Sequence, residues 1–118
     1  MAYDEKMAYQ VRELIAKRTD NVVEKAMFGG LCFMVEDKMC IGVKKDNLML
    51  RLDPEVYTEE IEKDGRKPMI HGGKVVMSYL FLDYDQIHTH SDLVHFVNLA
   101  LDYNPHAPLS KAKQKMKG

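Results

Sequence analysis

A chain of 118 residues, 46% of them hydrophobic, has the size and apolar content of one domain with one core. Its net charge of −1 is uneven: Lys111, Lys113, Lys115 and Lys117 lie in a tail without acids, leaving residues 1–105 with 13 basic against 18 acidic groups, a balance of −5. That acidic body is a poor partner for phosphate backbones, no apolar run nears the ~20 residues of a membrane helix, the start MAYDE carries no signal pattern, and two cysteines without CxxC spacing suit a reduced cytoplasmic protein.

Asp4 is placed to cap a first helix, in which Met7, Val11, Leu14 and Ile15 form one apolar stripe; Thr19-Asp20-Asn21 ends it. From Val22 the period shortens to the apolar runs VVEKAMF, LCFMV, MCIGV and LMLRL. Their separators, Gly29-Gly30, Glu36-Asp37-Lys38 and Lys45-Asp46-Asn47, suit hairpins, so a meander of four antiparallel strands is predicted. Asp53-Pro54-Glu55 opens a second helix with a cap, a proline at the first helical position and an acid at the positive end of the dipole. Val56, Tyr57 and Ile61 supply its narrow apolar side, and Gly65 is expected to stop it. RKPMIH offers a short strand at most; Gly72-Gly73 is a turn, and Val75 to Leu82 a long strand. A last helix starts near Ser91, turns Leu93, Val94, Phe96, Val97 and Leu101 inward, and ends at Asn104-Pro105. The order α-β-β-β-β-α-β-α predicts an α+β two-layer domain over residues 1–105, with an antiparallel sheet of about five strands and helices mainly on one face. A flexible Lys-rich tail follows over 106–118.

Chemistry is hard to find in these elements. Both glycine pairs read as turns needing positive φ: there is no GxGxxG, and HGGK at 71–74 has Pro68 where a P-loop needs its first glycine and Val75 in place of Ser or Thr. DYDQIHTHSDLVH gathers His88, His90 and His95 beside Asp83 and Asp85, and HxH is a metal-ligand spacing on an extended segment. His90 and His95 straddle a predicted helix start, however, so the three need not converge, and no metal is expected. No serine sits in a GxSxG elbow, and Cys32 and Cys40 fall in apolar strands, where a thiol is a small inert hydrophobe. No catalytic residue and no cofactor are therefore expected.

Two features are left over. Arg51 shares with Met49 the face opposite Leu48, Leu50 and Leu52, as a solvent-facing arginine or as a contact for a partner or a carboxylate. Met27, Met34, Met39, Met49 and Met77 all fall in predicted strands, where they serve as core filler or as an adaptable contact surface.

The segments MAYDEKMAYQVRELI, KAMFGGLCFMVEDKMCIGV, LMLRLDPEVY and GRKPM, in that order and spacing, resemble the N-terminal domain of the TfoX/Sxy family, regulators of competence for DNA uptake. The resemblance runs from Met1 to about Leu101. It implies a two-layer α+β domain with an antiparallel sheet, similar to type III secretion chaperones, which are commonly dimers, and it implies no enzymatic activity. Carried over by position, Met27, Phe28, Gly29, Gly30, Leu31, Arg51, Pro68 and Met69 match the family's motif, as structural or interaction residues. MFGGL is read as a tight strand connection that sends Phe28 and Leu31 into the core and lets neighbouring strands pack closely. Competence regulators carry a second, C-terminal domain; this chain, ending at Gly118, is expected to lack it.

The expected function is a non-enzymatic, cytoplasmic regulatory or protein-interaction module. The alternatives are a nucleic-acid-associated factor anchored weakly through the lysine tail, and a metal-dependent enzyme using the histidine cluster. LCFMV, MCIGV and VVMSYLFL are apolar almost throughout instead of alternating, and three helices cannot easily bury both faces of a sheet. A homodimer through the sheet, or another protein, is expected to cover the second face.

Overall fold

The computed structural model describes residues 2–109. Chain order is α1 (Glu5–Ala16), β1 (Val22–Met27), β2 (Gly30–Val35), β3 (Lys38–Val43), β4 (Asn47–Arg51), α2 (Pro54–Glu60), β5 (Arg66–His71), β6 (Lys74–Asp83) and α3 (His90–Tyr103), with 3-10 turns at Tyr84–Gln86 and Asn104–His106. The Asp4 carboxylate accepts the Met7 N–H at 2.8 Å and starts α1. Asp53 accepts the Glu55 N–H at 2.9 Å and starts α2 behind Pro54. A capping box starts α3: the Thr89 hydroxyl accepts the Asp92 N–H, while the Asp92 carboxylate accepts those of Thr89 and His88.

All six strands are antiparallel, in the order β1-β2-β3-β4-β6-β5. β1 to β4 form the expected meander. The sixth strand, beyond the five expected, is β5: it sits at the sheet edge, where the missing N–H of Pro68 costs no ladder bond. Phe28-Gly29, Glu36-Asp37 and Gly72-Gly73 are two-residue hairpin turns, each with positive φ at both positions, as type I′ turns require. Gly65 does not stop α2, which ends at Glu60; it lies just before β5, and the Gln86 side chain fills the space where a Cβ would be.

Two irregularities shape the sheet. Phe33 pairs with Ile41 and Met34 with Met39, so Cys40 is an extra residue, and both Cys40 and Ile41 turn towards the helices. On β6, Leu80 pairs with Pro68 and Val76 with Met69, so Met77, Ser78 and Tyr79 bulge between them. Ser78 holds φ at 77°, unusual for a residue with a Cβ, and its carbonyl accepts the Leu52 N–H at 2.8 Å.

One face of the sheet carries the main core. Phe33, Val35, Ile41, Val43, Leu48, Leu50, Leu52, Leu80 and Leu82 meet Val11, Leu14 and Ile15 of α1, Tyr57 of α2, and Leu93, Phe96, Val97 and Leu101 of α3. The opposite face has its own smaller cluster, Cys32, Met49 and Met69, ringed by half-buried Met27, Met34, Met39, Val76, Tyr79 and Phe81. Every member of it lies on a strand. The helices are therefore on one side only, as expected. Among the described residues no helix is long and apolar enough to cross a membrane.

Candidate functional site

Strand alternation builds the open face. Cys32 and Met34 on β2, Met49 and Arg51 on β4, and Tyr79 and Phe81 on β6 point away from the helices because their neighbours Phe33, Leu50 and Leu80 fill the main core. Gly42 lies between Cys32 and Met49 in register, and Met49 Cε would be 3.3 Å from any Cβ there, so the bare glycine lets Met49 lie flat. Cys32 and Met49 are consequently only 1% and 2% exposed without any helix above them. The Cys32 and Met34 sulfurs sit 3.9 Å apart.

Two hollows open on this surface. The larger, about 490 Å³, lies among Phe28, Lys44, Met69, Val76 and Phe81; the smaller, about 230 Å³, among Lys25, Met27, Met34, Arg51 and Pro108. Met39 and Tyr79 line both, so they form one apolar groove. Two of its rings carry cations: Lys44 Nζ stands 5.0 Å from the Phe81 centroid and Arg51 Cζ 5.2 Å from that of Tyr79. Arg51 Nη2 also donates to the Pro108 carbonyl at 3.2 Å, and Lys38 Nζ to that of Asn104 at 3.0 Å, which ties the chain beyond α3 to the groove's end. Burial raises the Tyr79 phenol, against an opposing pull from Arg51.

The motif residues divide. Met27, Phe28, Arg51 and Met69 line the groove; Pro68 is exposed on the edge strand and Leu31 leans towards the helix-side core. Phe28 corrects the expectation of a core residue: it is 47% exposed, at φ 54° in the turn, over the larger hollow. Gly29 takes the second turn position at φ 72°, whereas Gly30 begins β2 and owes its identity to close packing, since a Cβ there would lie 2.4 Å from the Val43 carbonyl oxygen. Sequence reasoning passed over Lys25, Lys44, Tyr79 and Phe81. The signal for Lys25 and Phe81 was alternation with Met27 and Leu82; Lys44 left none, because its ring contact depends on the pairing of β4 with β6.

The histidines do not gather. His88, His90 and His95 are exposed, and His95 meets the Phe96 ring edge-on at 5.2 Å. Among the described residues no group of three or more His, Cys, Asp or Glu side chains is arranged to hold a metal ion. The thiols are poor nucleophiles, because burial pushes Cys32 up to about 11 and Cys40 to about 12. Folded protein at pH 7.5, roughly one unit below an ordinary thiol pKa, should resist iodoacetamide for hours and take two labels once unfolded; mass spectrometry showing rapid labelling of either cysteine in the native state would contradict this. Lys111, Lys113, Lys115 and Lys117 lie outside the described residues.

The family model described as TfoX N-terminal domain matches residues 13–103 of the chain, which takes in α1 from Glu13 through the end of α3 and all six strands. No curated protein matches it.

Proposed function

The chain belongs to the TfoX N-terminal domain family, and from that premise we propose that it is a competence-regulator-like, non-enzymatic cytoplasmic module that acts by binding another protein chain on the open face of its sheet. The observation that carries this reading is the groove itself: thioethers, a thiol and aromatic rings on six strands, with α1, α2 and α3 on the opposite side. Apolar surface left in water costs roughly 25 cal/mol per Å², so a sheet face of this composition gains by being covered. Methionine suits such a contact because its unbranched, polarisable side chain repacks around different partners. Two free thiols suit a reducing compartment.

A photo-reactive amino acid at position 39, irradiated in the native cell, should yield adducts with protein; the same group at position 9, exposed on α1 across the molecule, should yield none. Adducts at position 9 with none at position 39 would overturn the reading.

A further inference from the structure

We infer that the occupant of the groove is an acidic, amphipathic segment of a different protein, and not a second copy of this chain; the inference rests on the reading above. Charge carries it. The charged side chains around the smaller hollow and the ring cations of the larger are Lys25, Lys38, Lys44 and Arg51, against the single carboxylate Asp37. The whole chain has 17 basic and 18 acidic groups, so four cations against one carboxylate is a local excess. Carboxylates cluster elsewhere, at Glu55, Glu59, Glu60 and Glu62 in and after α2, while α1 and its end carry Lys6, Arg12, Lys17 and Arg18.

Self-association meets like charge by two routes. Stacking two copies groove to groove sets Lys44 and Arg51 of one copy against the cations of the other while they are being desolvated. Extending the sheet through the β1 edge fares no better. Residues directly opposite across an antiparallel two-fold share a face, so the central registers place Lys25 against Lys25, or Glu24, already paired with its own Arg12 at 2.7 Å, against Glu24. A segment with apolar residues on one side and carboxylates on the other meets neither obstacle. Its apolar side chains enter around Met39 and Tyr79, and its carboxylates reach Lys25, Lys44 and Arg51, the last with a fork suited to a carboxylate.

The test is selection of displayed random peptides on the full chain and on a Lys44→Glu/Arg51→Glu variant, with circular dichroism confirming that the variant is folded. Peptides enriched on the wild type should combine apolar residues with Asp and Glu. Binding of a synthetic copy should fall at least tenfold, by order of magnitude, on the variant and in high salt. Lys25→Glu, on the exposed edge strand, gives a second charge reversal that should act in the same direction. Enrichment of neutral or basic peptides, equal affinity for wild type and variant, or preferred binding of single-stranded oligothymidine would overturn the inference. So would a dimer in light scattering whose position-39 adducts join two copies, although that result leaves the interaction-module reading standing. No enriched peptide together with no adduct at position 39 removes both.

Discussion

Replacing Arg66 with methionine is expected to lower the unfolding free energy by about 3 kcal/mol at neutral pH, read from urea midpoints at constant slope. Arg66 and Glu60 are each 9% exposed in their side chains and lie 3.1 Å apart. The guanidinium also donates to the Asp64 carbonyl at 2.7 Å and to Gln86 Oε1 at 3.2 Å, and stands 5.3 Å from the Phe96 centroid. One side chain thus fastens α2, β5, the 3-10 turn after β6 and α3. Without it Glu60 keeps only Lys63, whose side chain is 56% exposed. The pH dependence separates this from lost packing. Burial works to raise the Glu60 carboxyl, but hydrogen bonds from Lys63 and Arg66 outweigh it and hold the group below its ordinary value. A depressed carboxylate contributes stability that is present above its unfolded pKa and lost as pH falls through the folded one. With Arg66 gone, burial is opposed by Lys63 alone and the folded pKa rises relative to wild type, so the variant gains less stability than wild type as pH rises through the carboxylate range. The gap between wild type and variant should therefore be widest near pH 7 and narrow towards pH 4, around the unfolded value of about 4.3. Adding Glu60→Met should recover part of the loss, because an unpaired buried charge costs more than an apolar pair of similar volume. A gap that is small and flat across pH would refute the account.

Glu60 also shows what the sequence hides. Tyr57, Glu60 and Ile61 share one side of α2, and a pattern reading takes the glutamate for the solvated edge of a narrow apolar stripe. Its burial depends on Arg66 arriving from the next strand. That strand was itself hard to see, because Arg66, Lys67 and Pro68 argue against a sheet interior, and only an edge position makes them acceptable. Nothing local announces Ser78 at positive φ: the bulge follows from two different registers on the two sides of β6. The first two helices were legible because their caps, Asp4 and Asp53, and their apolar stripes are local signals; the last was placed by its stripe alone, near Ser91, and its Thr89–Asp92 box went unread.

The groove was half legible. Period-2 alternation puts Met49 and Arg51 opposite Leu48 and Leu50, and the structure agrees. Alternation names two faces without saying which one the helices cover. The contrast between all-apolar LCFMV and a normally alternating strand supplied that surplus, and Met34 and Cys32 are where it resides. Of the groove's cations Arg51 was visible from alternation, whereas what Lys25 and Lys44 meet was not. Lys25 matters because it faces Cys32 across β1 and β2, and Lys44 because Phe81 comes to it from a strand thirty-odd residues later. A contact made by long-range pairing leaves no periodic trace in either partner.

Substituting alanine for Gly30 is expected to cost about 3 kcal/mol, against about 1–2 kcal/mol for alanine at the adjacent Gly29. The two glycines look equivalent in MFGGL and are not. At Gly29 a Cβ meets nothing within 4 Å, so the cost is that of holding an L-residue at φ 72°. At Gly30 the φ is unexceptional, and the cost is collision: the new Cβ lies 2.4 Å from the Val43 carbonyl oxygen and 3.2 Å from its carbon. These are backbone atoms that cannot rotate aside. Val43 is fully buried and pairs with Leu31 on one side and Leu48 on the other, so β3 cannot retreat from Gly30 without parting from β2 or pressing on β4. The same need for a bare strand residue at position 30 moves the turn back one step and leaves Phe28, a poor residue for positive φ, to take its first position. Urea unfolding of the two single variants decides between the causes. Gly30→Ala should be the less stable by at least about 1 kcal/mol, and a Gly29→Ala variant as damaged as Gly30→Ala would mean that turn geometry, and not strand approach, fixes the pair.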